Sequence, residues 1–146
     1  MGYMACVWSF FACAAFCFVF NIRGKMMFLA SIGGAAGWLV FLLLSPIKND
    51  IVQFFFASMV TSVYSEIMAR VCKKPVTPFQ VISLIPMVPG GGIFYTMEYC
   101  VIGNSNMFMV TGLHTLGIAG ALAMGILLVS TFVRFMSIVM AHTKAN

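Results

Sequence analysis

The chain has 146 residues, 62% hydrophobic and 8% charged, with a formal net charge of +5. A soluble domain is about a quarter charged, and so few charged side chains could not clothe so apolar a core, whereas lipid solvates apolar surface directly. The lysines and arginines lie in short breaks between apolar runs rather than in one patch, which excludes a nucleic-acid-binding surface.

A bilayer core of about 30 Å needs about 20 apolar residues per helix, and five stretches meet or approach that length. The first predicted helix covers residues 3–20. It lacks a basic segment at its start, and its nearest charges, Arg23 and Lys25, follow it. It reads as a retained span rather than a signal peptide. Cys13 and Cys17 share one face at i, i+4 and read as small packing residues. Neither they nor Cys6, Cys72 and Cys100 form a spacing suited to zinc, so no metal or cofactor is expected. In the second predicted helix, residues 26–44, Gly33 and Gly37 form a GxxxG pair beside Ala30 and Gly34. Such a face lets helices approach closely.

The third predicted helix, residues 51–71, carries Ser58, Thr61, Ser62 and Ser65 within one arc, with Glu66 at its margin and Arg70 one turn on. Ionisable residues inside a membrane are costly and face a bundle interior or an aqueous cavity. Two readings stand for Glu66. One is an ion pair with Arg70 near the interface; the other is a proton relay or gate at the inner mouth.

The fourth predicted helix, residues 79–99, contains Pro86-Met87-Val88-Pro89-Gly90-Gly91-Gly92 at its centre. Proline removes a helical donor and clashes with the preceding turn, and glycine costs about 1 kcal/mol in a helix interior. The helix should break here, with a second half starting near Ile93. Irregular backbone at membrane depth survives only when sheltered by protein or lining a watery cavity. Transporters place substrate sites at such breaks, and the N-terminus of a half-helix suits a carboxylate. Pro86, Pro89, Gly90, Gly91 and Gly92 are therefore candidates for the substrate path; the alternative is a structural kink. Glu98, at the outer end, can snorkel to the interface.

The fifth predicted helix, residues 107–133, is long enough to tilt or project. Its His114 is a proton-coupling candidate or a neutral imidazole bonded to a neighbouring helix. Gly117, Ala121 and Gly125 repeat the small-residue spacing. His142, in the polar tail, carries no signal. With five alternating spans, Arg23, Lys25, Arg70, Lys73, Lys74, Arg134 and Lys144 fall on one side and only Lys48 on the other. The positive-inside rule then puts the N-terminus outside and the C-terminus in the cytoplasm. The expectation is one all-α transmembrane domain over residues 1–146, with five membrane-spanning helices and the fourth broken, in the plasma membrane.

Several runs resemble the small-subunit branch of the threonine/serine exporter family. They are Gly34-Ala35-Ala36-Gly37-Trp38, Ser65-Glu66-Ile67-Met68-Ala69-Arg70, Lys74-Pro75-Val76-Thr77-Pro78-Phe79 and Ile118-Ala119-Gly120-Ala121-Leu122-Ala123-Met124-Gly125. The most characteristic is Ile85-Pro86-Met87-Val88-Pro89-Gly90-Gly91-Gly92-Ile93-Phe94-Tyr95-Thr96-Met97, in which relatives often carry leucine where Met87 stands. The resemblance implies an exporter built from a short and a longer membrane protein. It implies threonine and serine, or dicarboxylates such as succinate, as substrates. A single broken span also supplies at most half of what alternating access requires, so a larger membrane partner is expected, and the small-residue faces would serve self-association as well. The alternative is a scaffolding subunit that never touches substrate. An intramembrane enzyme is not expected: there is no HExxH or GxSxG, and Asp50 is the sole aspartate.

Overall fold

The computed structural model describes the backbone of residues 2–145 and the side chains of residues 4–139. The side chains of His142 and Lys144 lie outside the described residues. Six α-helices follow one another: α1 (Gly2–Val19), α2 (Lys25–Leu43), α3 (Asp50–Cys72), α4 (Val76–Leu84), α5 (Gly90–Ile102) and α6 (Ser105–Ala145). Short 3-10 turns occupy Ser45–Ile47 and Ile85–Met87, and no strand occurs among the described residues.

The helix ends follow from local chemistry. Lys73 closes α3 in the left-handed region at φ 52°, and the Lys74 N–H donates to the Ala69 carbonyl at 3.0 Å. Gly103 closes α5 at φ 78°, a conformation open to glycine without a Cβ penalty, and the Asn104 N–H returns to the Tyr99 carbonyl at 3.0 Å. Asn104 then starts α6, its Oδ1 accepting from the Met107 N–H at 3.2 Å. With no proline or glycine after Gly125, nothing stops the last helix at residue 133. It runs on through the polar tail.

Contacts between helices fix their directions. The Cys17 thiol at the end of α1 faces the Met27 carbonyl near the start of α2, so these two run antiparallel. Tyr64 Oη donates to the Leu29 carbonyl at 2.7 Å, and the Phe41 and Phe54 rings meet at 4.7 Å, so α2 and α3 are antiparallel too. Gly117 lies against Ile51, Gly125 against Ser58, and Arg70 reaches Ser137. The helices α3 and α6 are therefore parallel, and α4 and α5 together make one return traverse of the bundle. Arg23, Lys25, Arg70, Lys73, Lys74 and Arg134 gather at one end, with Lys48 at the other.

By length and apolarity α2, α3 and residues Ser105–Val139 of α6 can each cross a membrane, and the bent α4–α5 pair makes a fourth crossing if it counts as one span. The structure thus supports three or four spans where the sequence suggests five. The difference lies in α1, whose 18 residues fall at the short end of the roughly 17–25 that span a bilayer, and in whether the bent pair counts as one crossing.

Two clusters hold the bundle together. Cys13, Cys17, Ala30, Ala69, Phe79 and Ile82 join α1–α4, and Ala57, Met87, Ile118 and Leu122 join α3, the break and α6. The glycine face of α2 is where these elements converge. A Cβ at Gly33 would strike Ser83 and Tyr64, one at Gly34 would strike Cys13, and one at Gly37 would lie 2.7 Å from Met87 Cε. The GxxxG pair is thus consumed by contacts within the chain. Elsewhere the apolar side chains point outward, and no more than a third of any candidate span is buried, as suits a lipid-facing bundle.

Candidate functional site

The return traverse breaks because Pro86 and Pro89 cannot sit in a continuous helix. The residue before a proline is pushed out of the helical region, and Val88 is extended at φ −60°, ψ 130°. The two halves meet at 51°. Met87, 1% exposed, plugs the angle of the break over Gly37, which in turn faces Thr61. The break therefore lies near the mid-height of α2 and α3.

Each backbone group freed by the break raises the question of a partner. Pro86 has no N–H to give the Ile82 carbonyl four residues earlier. That carbonyl is met instead by the Cys13 thiol of α1, at 3.3 Å and buried. The Val88 N–H donates to Ile85 O at 3.2 Å, Gly90 to Val88 O at 2.7 Å, and Ile93 to Pro89 O at 3.1 Å. The Ser83 hydroxyl donates to the Ala30 carbonyl at 3.0 Å, anchoring the end of α4 to α2.

The second half-helix begins at Gly90 rather than near Ile93. All three glycines form its first turn, where the N–H groups lack intrahelical acceptors whatever the residue. No side chain caps this end, and Gly90 and Gly91 face open space. Gly92 differs: a Cβ there would collide with Thr115 of α6. Thr96 Oγ1 bonds back to the Gly92 carbonyl at 2.7 Å, and Thr115 Oγ1 to that of Thr111 at 2.7 Å. These back-bonded hydroxyls let α5 lie close along α6. None of its residues is buried, so α5 is clad on one side only.

The polar arc of α3 is buried, and most of it is satisfied locally. Ser58, Thr61 and Ser65 donate to the Phe55, Ala57 and Thr61 carbonyls at 2.8, 2.9 and 2.8 Å. Ser62 Oγ is buried without a hydrogen-bond partner among the described residues. These small side chains mainly allow close helix contact, as where Ser58 meets Gly125.

Beyond the arc, a cleft of about 380 Å³ opens between α3, α4 and α6. Glu66, Arg70, Gln80, Ser130, Arg134 and Ser137 supply its polar wall. Arg70 stands 3.8 Å from Glu66, and its Nη2 donates to Ser137 Oγ at 3.4 Å. Of the sequence candidates, Glu66 and Arg70 meet in this cleft. Pro86 and Pro89 form the break, whose Met87 lies level with Thr61, about five residues from Glu66 along α3. The glycines follow towards the far end, with Gly92 against Thr115. His114 is exposed, without a hydrogen bond among the described residues, and lies roughly 30 Å from Arg134 along α6 at 1.5 Å per residue. The sequence reading missed Gln80, Ser130, Arg134 and Ser137. A signal for three of them exists, since Ser130, Arg134 and Ser137 repeat at i, i+4, i+7.

A family model described as Threonine/Serine exporter, ThrE, matches residues 5–132, which take in α2 to α5, most of α1 and α6, the whole break and all the cleft's polar residues but Arg134 and Ser137. No curated protein and no solved structure matches the chain.

Proposed function

The chain belongs to the threonine/serine exporter family, and from that premise we propose that it is the small subunit of a two-component exporter of small carboxylate-bearing metabolites. The family is one of transporters rather than enzymes, and the chain is a membrane protein. The proposed topology has five spans, with α1 and the α4–α5 pair each crossing the plasma membrane once. The N-terminus is outside and the basic end of the bundle faces the cytoplasm. Threonine and serine are the favoured cargo, with dicarboxylates such as succinate as further candidates.

One observation carries this reading: a helix interrupted at bundle mid-height, whose second half starts without a side-chain cap and with Gly90 and Gly91 beside open space. In lipid, such backbone needs protein or water around it. A larger membrane subunit would close the open side of α5, and the passage between the two proteins would run past Gly90 and Gly91. The same openness is compatible with a second reading, in which this chain only scaffolds the partner's path.

Reconstitution into proteoliposomes with the larger membrane protein encoded or expressed alongside it tests the proposal. Labelled threonine or serine should leave the vesicles only when both proteins are present. Efflux with the larger protein alone at the full rate would overturn the small-subunit role. Substitution of Pro89 or Gly91 that alters selectivity supports a path-lining role, whereas mere loss of the complex supports scaffolding.

A further inference from the structure

We propose that the cleft between α3, α4 and α6 binds a zwitterionic α-amino acid, its carboxylate on Arg134 and Arg70 and its ammonium on Glu66. This rests on the exporter reading above and assigns the step before the break: cargo docking at the basic end of the bundle.

The groups present call for a ligand of both signs. Glu66 is held largely inside, its side chain 15% exposed against 55% for Arg70. Its nearest cation is 3.8 Å away, beyond hydrogen-bond reach, and no donor bonds to it among the described residues. A part-buried carboxylate without donors carries an uncompensated desolvation cost. Arg134 has neither an ion pair nor a hydrogen bond among the described residues. The wall thus holds two guanidinium groups and one carboxylate, leaving one positive charge in excess.

An ammonium brings three donors, which is what Glu66 lacks. A carboxylate accepts a guanidinium fork in paired geometry. Gln80 and Ser130, on the two other helices, are suited to a small side-chain hydroxyl. The volume, about 380 Å³, lies at the small end of ligand pockets. A dicarboxylate would satisfy the arginines but bring negative charge towards Glu66, so the cleft selects threonine or serine over succinate. A lipid headgroup with a phosphate and an amine offers the same paired charges, and the test separates the two sources.

The full-length chain in phosphatidylcholine nanodiscs, a lipid without N–H donors, should bind labelled threonine saturably. R134Q and E66Q should each weaken binding at least about tenfold, the size of one lost charge-assisted contact, while R134K retains part and R23Q, at the same end but outside the cleft wall, stays at the wild-type level. Threonine methyl ester and N-acetylthreonine, each lacking one charge, should fail to compete. Elution of the variants at the wild-type position in size-exclusion chromatography separates lost binding from lost folding. Absence of saturable binding, or binding unchanged in both R134Q and E66Q, overturns the proposal. So does loss of threonine binding when phosphatidylethanolamine is added to the nanodiscs, which assigns the cleft to lipid. Threonine export by the complex that R134Q leaves at full rate also overturns the cleft while the exporter reading stands. Wild-type chains with their partner that export nothing overturn the exporter reading itself.

Discussion

Cys13 shows how a single side chain permits a break that the rest of the molecule depends on. Its thiol meets the carbonyl that Pro86 leaves without a donor, and it does so over Gly34, where a Cβ would occupy its place. Cys13 on α1, Gly34 on α2 and Ile82 on α4 therefore form one device with Pro86. In sequence, Cys13 reads only as a packing residue, because its partner lies 69 positions away and periodicity within α1 says nothing about distant carbonyls. Replacing Cys13 by serine keeps a donor of similar size, whereas alanine leaves the Ile82 carbonyl unmet in an apolar surround. Cys13→Ala should therefore cost about 1–2 kcal/mol more stability than Cys13→Ser, read from thermal unfolding of the detergent-solubilised protein. Equal melting temperatures for the two variants would remove the capping role.

At the scale of elements, the seam between α5 and α6 decides where the second half-helix points. Gly92 lies under Thr115, while Gly90 and Gly91 face open space. Three adjacent glycines that look equivalent in sequence thus differ sharply. Gly92→Ala should cost about 1–3 kcal/mol through overpacking, and Gly91→Ala should be close to neutral. Adding Thr115→Ala to Gly92→Ala should restore most of the loss, giving a coupling that a double-mutant cycle reads; additive losses would contradict this packing.

The break itself is legible in the sequence, since two prolines in four residues leave a helix no alternative. Its inner layout is not, because glycine is penalised only in a helix interior, and a first turn tolerates it. The polar arc of α3 is legible as a stripe. That its hydroxyls bond mainly to their own helix is a matter of side-chain rotamers, beyond the reach of a helical wheel. The cleft is less legible still, since Gln80 and Arg134 meet Glu66 only once three helices have assembled.

The whole molecule is a bundle with one well-packed side and one open side. The helices α1–α4 share buried contacts, and α6 runs along α3, but α5 has only α6 as a substantial neighbour. The parallel course of α3 and α6 agrees with the charge pattern that places Arg70 and Arg134 at the same end. This agreement follows because basic residues and helix direction are both tied to the alternation of spans. From the cleft at that end to the break is roughly 7–8 Å, five residues along α3 at 1.5 Å each. A solute leaving Glu66 and Arg134 would first pass Met87 at the break. It would reach the first turn of α5 only near the far end of the bundle, since Gly92 lies against Thr115, roughly 28 Å from Arg134 along α6; a partner protein would form the opposite wall.

The most direct test of that route is water and cargo access at the break. Gly91 faces open space, so Gly91→Cys should fold normally. In the assembled exporter, its new thiol should react with a charged, membrane-impermeant reagent beyond the background of the five native cysteines. Threonine should slow that reaction. Labelling by lipid-soluble reagents alone, indifferent to threonine, would show that the break faces hydrocarbon and would contradict the path proposed here.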